Sequence, residues 1–265
     1  MESLQIGKVT IAGAGPGDAE LITVKLLRSL AKAEVIIADR LVNPAILEQY
    51  ANPQAEVIAA GKEGYNELSA TQESINQLLV AHALQGKSVL RLKGGDVAFF
   101  SNVLDELEAL AAHDIPFEII PGITAASGAS AYTGIPLTAR GYAQGVQLMT
   151  YNPNSHYSSD KWKYLANCNE TLVFYMTSKN ILDVAELLLR YTKKPHTPMA
   201  VIEQAATVHQ QVHLSSLDQC ATDFVEKKFS SPSIIVIGEV VNLYHRFQWL
   251  PQQATGSVFN ALTTT

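Results

Sequence analysis

Apolar residues in this chain come in short runs that stop at glycine or at an acid, and stretches with helical spacing lie between them. Val9–Gly13, Glu34–Asp39, Ala55–Ala59, Val89–Lys93 and Phe117–Ile120 each read as a β-strand. Between them, Leu21, Val24, Leu27 and Leu30 share one helical face within Leu21–Ala31, with Lys25 and Arg28 outside it. Pro44 opens a short helix, as proline does at a first helical position. Thr71 is placed to cap a helix carrying Ile75, Leu78, Leu79 and His82 on one face, and Leu104, Leu107 and Leu110 mark another. Regular alternation of strand and helix predicts a parallel sheet with helices on its faces.

The second half repeats the alternation less regularly. Ala125–Tyr132 reads as a helix of small residues, and Gly134–Gly141 as loop. Val146–Thr150, Thr171–Met176, Met199–Ile202, the alternating Val208–Leu214 and Ser233–Gly238 read as strands, with a helix over Ile181, Val184, Leu187 and Leu188. The expected organisation is an N-terminal α/β domain over 1–121, a linker and hinge over 122–142, a C-terminal α/β domain over 143–250 and a flexible polar tail over 251–265.

Composition narrows the class. The chain has 265 residues, 47% hydrophobic and 17% charged, enough for a large core or two smaller ones. Net charge is −6, so no global basic field recruits nucleic acid or an anionic membrane surface. No apolar run approaches the ~20 residues that span a bilayer. Met1–Gln5 has neither a basic start nor an apolar core, so no signal peptide is expected. The two cysteines, Cys168 and Cys220, have no metal spacing and are expected as free thiols in a reducing cytoplasm.

Candidate chemistry lies at the strand ends. Gly94 and Gly95 lack a Cβ, so the backbone there can take positive φ and admit a ligand, and Asp96 follows at the carboxyl end of its strand. Gly13–Asp18 tempts one toward a dinucleotide fingerprint, but Asp18 stands where the third glycine belongs and Pro16 has no N–H for a pyrophosphate. Asp39 and Lys62 also follow strands; an acid and an amine facing one crevice can accept and donate protons, while a salt bridge at the sheet edge is the plainer reading. Arg40, Arg91, Lys93 and Arg140 lie beside these loops and suit an anionic substrate, unless they are dispersed solvated charges. His209 and His213 fall in an extended segment with no evident third ligand, so no metal is expected. Ser127 and Ser130 lack the elbow sequence of hydrolases.

Taken together, the loops resemble the uroporphyrinogen-III C-methyltransferases among the tetrapyrrole methylases. The matching stretches are Ile11–Asp18, Glu20–Lys25, Asp39–Val42, Gly61–Lys62, Val89–Asp96, Pro121–Ala125, Gly134–Thr138, Arg140–Gly141, Phe174–Met176 and Ala200–Glu203, in family order over about residues 8–240. The resemblance implies a two-domain α/β fold, each domain a mostly parallel sheet flanked by helices, with S-adenosylmethionine in the interdomain cleft and S-adenosylhomocysteine as product. It implies two methyl transfers to uroporphyrinogen III, giving precorrin-2 for sirohaem or cobalamin synthesis in a cytoplasmic homodimer. Cofactor contacts carry over to Pro16, Gly94, Gly95, Asp96, Phe99, Thr124, Ala125, Met176 and Ala205, the proton-acceptor role to Asp39 and the donor role to Lys62.

Two departures bear on the substrate. The family's Gly-Arg-Gly-Gly-Glu-Glu is absent: its arginine falls on Asn102 and a glutamate on Asp105, which stand with Arg40, Arg91, Lys93 and Arg140 as substrate candidates. The family's Gly-Thr-Thr becomes Ala205-Ala-Thr207. A methylase of a later precorrin, a non-catalytic cofactor-binding homologue and a nucleotide-dependent oxidoreductase are the other readings.

Overall fold

Five apolar strands build the first core. In the computed structural model, which describes residues 6–60, 72–154, 157–251 and 256–259, the chain divides into two units, Met1–Thr124 with Ser257–Thr265, and Ala125–Gly256. The first unit has strands β1 (Val9–Gly13), β2 (Val35–Asp39), β3 (Glu56–Ala60), β4 (Val89–Lys93) and β5 (Phe117–Ile120). All pair in parallel, in the order β3-β2-β4-β1-β5. Helices α1 (Val24–Leu30) and α2 (Pro44–Tyr50) supply Leu26, Leu30 and Ile46 to one face, against Ala12, Ile36, Leu90 and Leu92. Helices α3 (Gln72–Leu84) and α4 (Val103–Ala112) cover the other with Ile75, Leu79 and Leu110, against Val9, Ile11, Val35, Ile37 and Val89. A sheet covered on both faces needs near-continuous apolar strands, which is why these runs do not alternate.

Local details differ from the expectation. Thr23, not Leu21, opens α1: its hydroxyl accepts from the Leu26 N–H at 3.1 Å. The buried face is then Leu26 and Leu30, one turn apart, while Val24 is 63% exposed. Leu104 is likewise exposed; α4 turns Val103, Glu106, Leu107 and Leu110 toward the sheet. The expected cap at Thr71 lies outside the described residues, as do Lys62 and most of the tail.

The second unit holds β6 (Val146–Thr150), β7 (Thr171–Tyr175), β8 (Pro198–Glu203), β9 (Gln211–Ser216) and β10 (Ser233–Ile237), in the order β6-β7-β10-β8-β9. Here the expectation of a mostly parallel sheet is corrected. Only β6 and β7 pair in parallel; β10 runs antiparallel to β7 and β8, and β9 antiparallel to β8. The helix α7 (Ile181–Leu189) does connect two co-oriented strands, β7 and β8, but β10 fills the gap between them. Strand–helix alternation sets the direction of the strands it joins and leaves open which strand later fills a gap.

Helix α5 (Ala125–Thr133) packs Ala126 and Ala129 onto one face of this sheet, while α6 (Ser159–Asn167), α7 and α8 (Cys220–Phe224) cover the other with Trp162, Leu165, Val184, Leu188 and Phe224. Helix α6 was not expected: it is polar apart from Trp162, Leu165 and its neighbours, and its signal is the Ser158 cap, which accepts from Lys161 N–H at 3.2 Å. Strand β9 starts three residues later than expected, after a turn that leaves Val208 exposed. Both cysteines are free thiols, and burial, with Asp223 nearby, pushes Cys220 up to about 11. Among the described residues no helix is long and apolar enough to cross a membrane.

Candidate functional site

In the first unit β1 and β4 are neighbours, but the chain leaving β1 goes to β2 and the chain leaving β4 crosses to β5 on the other side. Such a reversal opens a crevice beyond the carboxyl ends of the strands, where α/β sheets bind ligands. Three chain passes meet there. Gly15 N–H donates to Gly95 O at 3.0 Å, Gly95 N–H donates back to Gly15 O at 2.8 Å, and Ala14 N–H donates to Lys93 O at 2.7 Å. Asp96 is 7% exposed and ties in the third pass: Oδ2 accepts from Gly122 N–H at 2.7 Å and Oδ1 from Ala98 N–H at 2.8 Å. Its carboxylate is thus committed to shaping the loop.

The glycines serve this close approach of backbone to backbone. A Cβ on Gly13 would lie 2.5 Å from Gly95 O and 2.8 Å from Gly122 N, and one on Gly122 would overlap both other passes; Gly95 itself has φ 68°. Backbone atoms cannot step aside as a side-chain tip can. Gly13→Ala is therefore expected to destabilise the first unit by about 1–3 kcal/mol. Chemical unfolding of the variant checks this; an unchanged midpoint would mean the loops have room to part.

Asp39 ends β2, one strand away from this cradle. Its Oδ1 is 2.5 Å from Arg91 Nη2, and its side chain remains 29% exposed. Arg91 lies opposite Ile37 in the register, on the face covered by α3 and α4. Its Nε donates to Glu106 Oε1 at 2.9 Å, and Lys93 Nζ donates to the same oxygen at 2.8 Å. Arg91 is 2% exposed, Lys93 3% and Glu106 0%. The basic residues of β4 are therefore not a surface for an anionic substrate, which corrects that expectation for Arg91 and Lys93. Residues two apart in a strand share a face, and on the central strand of a covered sheet both faces are interior. Asp39 is thus an ion-pair member, but with Arg91 of the central strand and not in the expected salt bridge at the sheet edge, and part of its carboxylate is still open to solvent.

Glu106 was not foreseen. Its signal was present: it falls between Val103 and Leu110 on the apolar stripe of α4, opposite two cations at alternate positions of a buried strand.

The loop from Val97 to Asn102 leads from the cradle into α4. Phe99 and Phe100 are 43% and 39% exposed, and Asn102 and Asp105 face solvent. Phe100 and Asn102 have φ 55° and 51°. In the second unit, Met176 follows β7 and Ala205 follows β8. Tyr175 and Ile202 both lie opposite Ile234 of β10, so Met176 and Ala205 stand at the same end of that sheet. The Tyr175 hydroxyl accepts from Ala126 N–H at 3.1 Å, bringing the start of α5 and Ala125 to that end.

Met176, Gln204 and Ala206 have positive φ there, at 53°, 45° and 60°, the only described non-glycine residues of the second unit that do. Each costs roughly 1–3 kcal/mol, and such strain gathers where a site needs a fixed backbone.

Arg40 is exposed next to Asp39, and Arg140 is exposed in a turn closed by the Ala139–Ala143 bridge of the second unit. Pro16 is buried in the first-unit cradle and Thr124 half-buried. His213 lies on β9 with Nδ1 2.7 Å from Lys227 Nζ and Nε2 3.6 Å from Glu203; burial first, then Lys227, holds its imidazole below the usual range.

Glycine-packed backbone passes at a sheet reversal, with a carboxylate beside them, are the arrangement in which open α/β sheets bind ligands. The chain belongs to the Tetrapyrrole (Corrin/Porphyrin) Methylases, whose family model matches residues 8–221. It is 42% identical over 253 residues to a "Siroheme synthase" of Ectopseudomonas mendocina and 43% identical over 244 residues to one of Acinetobacter baylyi. Those matches cover 96% and 92% of this chain but 54% and 53% of the relatives, so the chain spans about half the length of these curated relatives. Among solved structures it matches a uroporphyrin-III C-methyltransferase of Thermus thermophilus complexed with S-adenyl homocysteine, at 33% identity and TM-score 0.74, covering 89% of this chain and all of that one. A cobalt precorrin-4 methyltransferase shares the fold at TM-score 0.77 and 24% identity. The family resemblance read from the sequence is borne out.

Proposed function

We propose that the protein transfers two methyl groups from S-adenosylmethionine to ring carbons of uroporphyrinogen III, giving precorrin-2 for sirohaem or cobalamin synthesis. The observation that carries this reading is the likeness to the whole Thermus thermophilus chain, whose bound S-adenyl homocysteine is the spent form of that donor. The residues on hand fit such a group. The loops Gly13–Asp18, Gly94–Asn102 and Pro121–Thr124 contain no lysine or arginine. Lys93, at the strand end, is turned inward to Glu106, so a sulfonium there meets no free like charge from these loops.

When bound, S-adenosylmethionine supplies an already electrophilic methyl. The chain's part is then to orient and to move protons. Pro16, Gly94, Gly95, Asp96, Phe99 and Thr124 of the first unit, and Ala125, Met176 and Ala205 of the second, hold the donor, with Asp96 acting through the loop it braces. Alignment of an electron-rich carbon with the methyl can contribute roughly 7–11 kcal/mol. Asp39 accepts the proton that leaves the macrocycle, and Lys62 donates. Arg40 and Arg140 meet the substrate's carboxylates, and Asn102 and Asp105 are further substrate contacts. The homodimer and the cytoplasmic location belong to the same proposal.

Incubation with uroporphyrinogen III and S-adenosylmethionine is expected to add two methyl masses to the macrocycle. A macrocycle that leaves with its mass unchanged refutes the substrate. Methylation only of a later precorrin would favour the second reading, for which the exposed Asn102 in place of the family's arginine is the specific motive.

A further inference from the structure

We propose that Arg91 is the positioning residue for Asp39, and that Glu106 in turn fixes Arg91. The inference rests on the reading of Asp39 as proton acceptor. A proton acceptor on the last residue of a strand, 29% exposed, has rotamer freedom that would blur its aim. Here Oδ1 is bound to a guanidinium that cannot itself move. Arg91 Nε is held by Glu106, Nη1 donates to Ile37 O at 3.3 Å and Leu92 O at 3.2 Å, and Nη2 donates to Asp39. The anchors lie on β2, β4 and α4, so two strands and a helix locate one oxygen. Among the described residues Asp39 Oδ2 has no hydrogen-bond partner, which leaves it as the oxygen to receive a proton. Only a planar fork reaches all these acceptors at once; an ammonium cannot.

The network is a poor device for stability alone. Glu106 Oε1 takes both cations, and Oε2 is buried without a hydrogen-bond partner among the described residues. Buried ion groups of this kind are often replaced by apolar side chains without loss of stability. Keeping two buried cations and a stranded carboxylate oxygen beneath Asp39 is explained by the constraint they place on its carboxylate.

The test uses the full chain with Arg91→Lys and Glu106→Gln, each alone and combined with Asp39→Asn. Arg91→Lys keeps a cation, and Glu106→Gln keeps an oxygen for both cations while giving up the anion, so kcat of the latter is read well below its melting temperature, which is expected to fall. Expected is a fall in kcat of roughly 10²-fold with the affinity for S-adenosylmethionine unchanged by calorimetry. In the Asp39→Asn background the same substitutions are expected to cost nothing further, because groups acting as a unit are not additive. An equal factor in both backgrounds, an unchanged kcat, or a chain that no longer folds with either substitution overturns the proposal and leaves the network a structural role. If Asp39→Asn itself leaves turnover unchanged, it is the proton-acceptor reading that fails.

Discussion

Asp39→Asn is expected to slow methyl transfer by about 10²–10⁴-fold while the protein still binds S-adenosylmethionine with its original affinity. The substitution keeps the shape of the side chain and an oxygen for Arg91, and removes the charge that makes the group a base. A factor of that size is roughly 3–5 kcal/mol of transition-state stabilisation. Donor binding is expected to persist because the glycine passes at the ends of β1, β4 and β5 are held by backbone hydrogen bonds and by Asp96, none of which involves Asp39. Single-turnover methylation with a labelled donor, beside calorimetry of donor binding, separates the two effects. Unchanged turnover would reduce Asp39 to the ion-pair partner of Arg91; lost donor binding would show that β2 carries part of the cradle.

The second large effect concerns stability. Glu106→Leu is expected to destabilise the first unit by about 3–5 kcal/mol, because it leaves Arg91 and Lys93 buried with one shared anion fewer. Asp39 can neutralise only Arg91, to which it is already bound. Lys93 is 3% exposed and would have to drag its ammonium out of the interior. For a chain of this size the melting temperature should fall on the order of 10 °C. Thermal unfolding followed by circular dichroism measures it. A melting temperature equal to that of the parent would show that water reaches the cations and that the burial seen here does not isolate them.

Much of the first unit could be read from the sequence because its strands are continuous apolar runs between helices of ordinary spacing, and parallel pairing follows from that alternation. The second sheet could not be read in the same way. Whether β10 lies at an edge or between β7 and β8 depends on pairing with strands 30 to 65 residues earlier in the chain, and a local pattern carries no trace of it. At the site, the strand-end residues Asp39, Gly94, Gly95 and Asp96 stood out because strand ends and glycines are locally marked. The role of Arg91 and Lys93 did not, since a cation's exposure depends on what packs over it. Reading them with Glu106, a lone acid on an apolar helical stripe, would have corrected the error. Asp96 stood out at a strand end, but its service to the Gly122 backbone did not, because that partner lies on another strand's loop.

The place of β10 also governs the order in which the second unit can be made. Strands β7 and β8 share no hydrogen bonds; each is joined to the other only through β10. A chain that has emerged only through β9 lacks the strand to which both β7 and β8 pair, so the inner edge of each is without its native partner. The sheet closes only when Ser233–Ile237 slides between them, with long loops already drawn in. Closure by the last strand makes folding of this unit a late, slow step dominated by distant contacts. Until that step, the two unpaired inner edges are where the growing chain is most exposed to pairing with a neighbour.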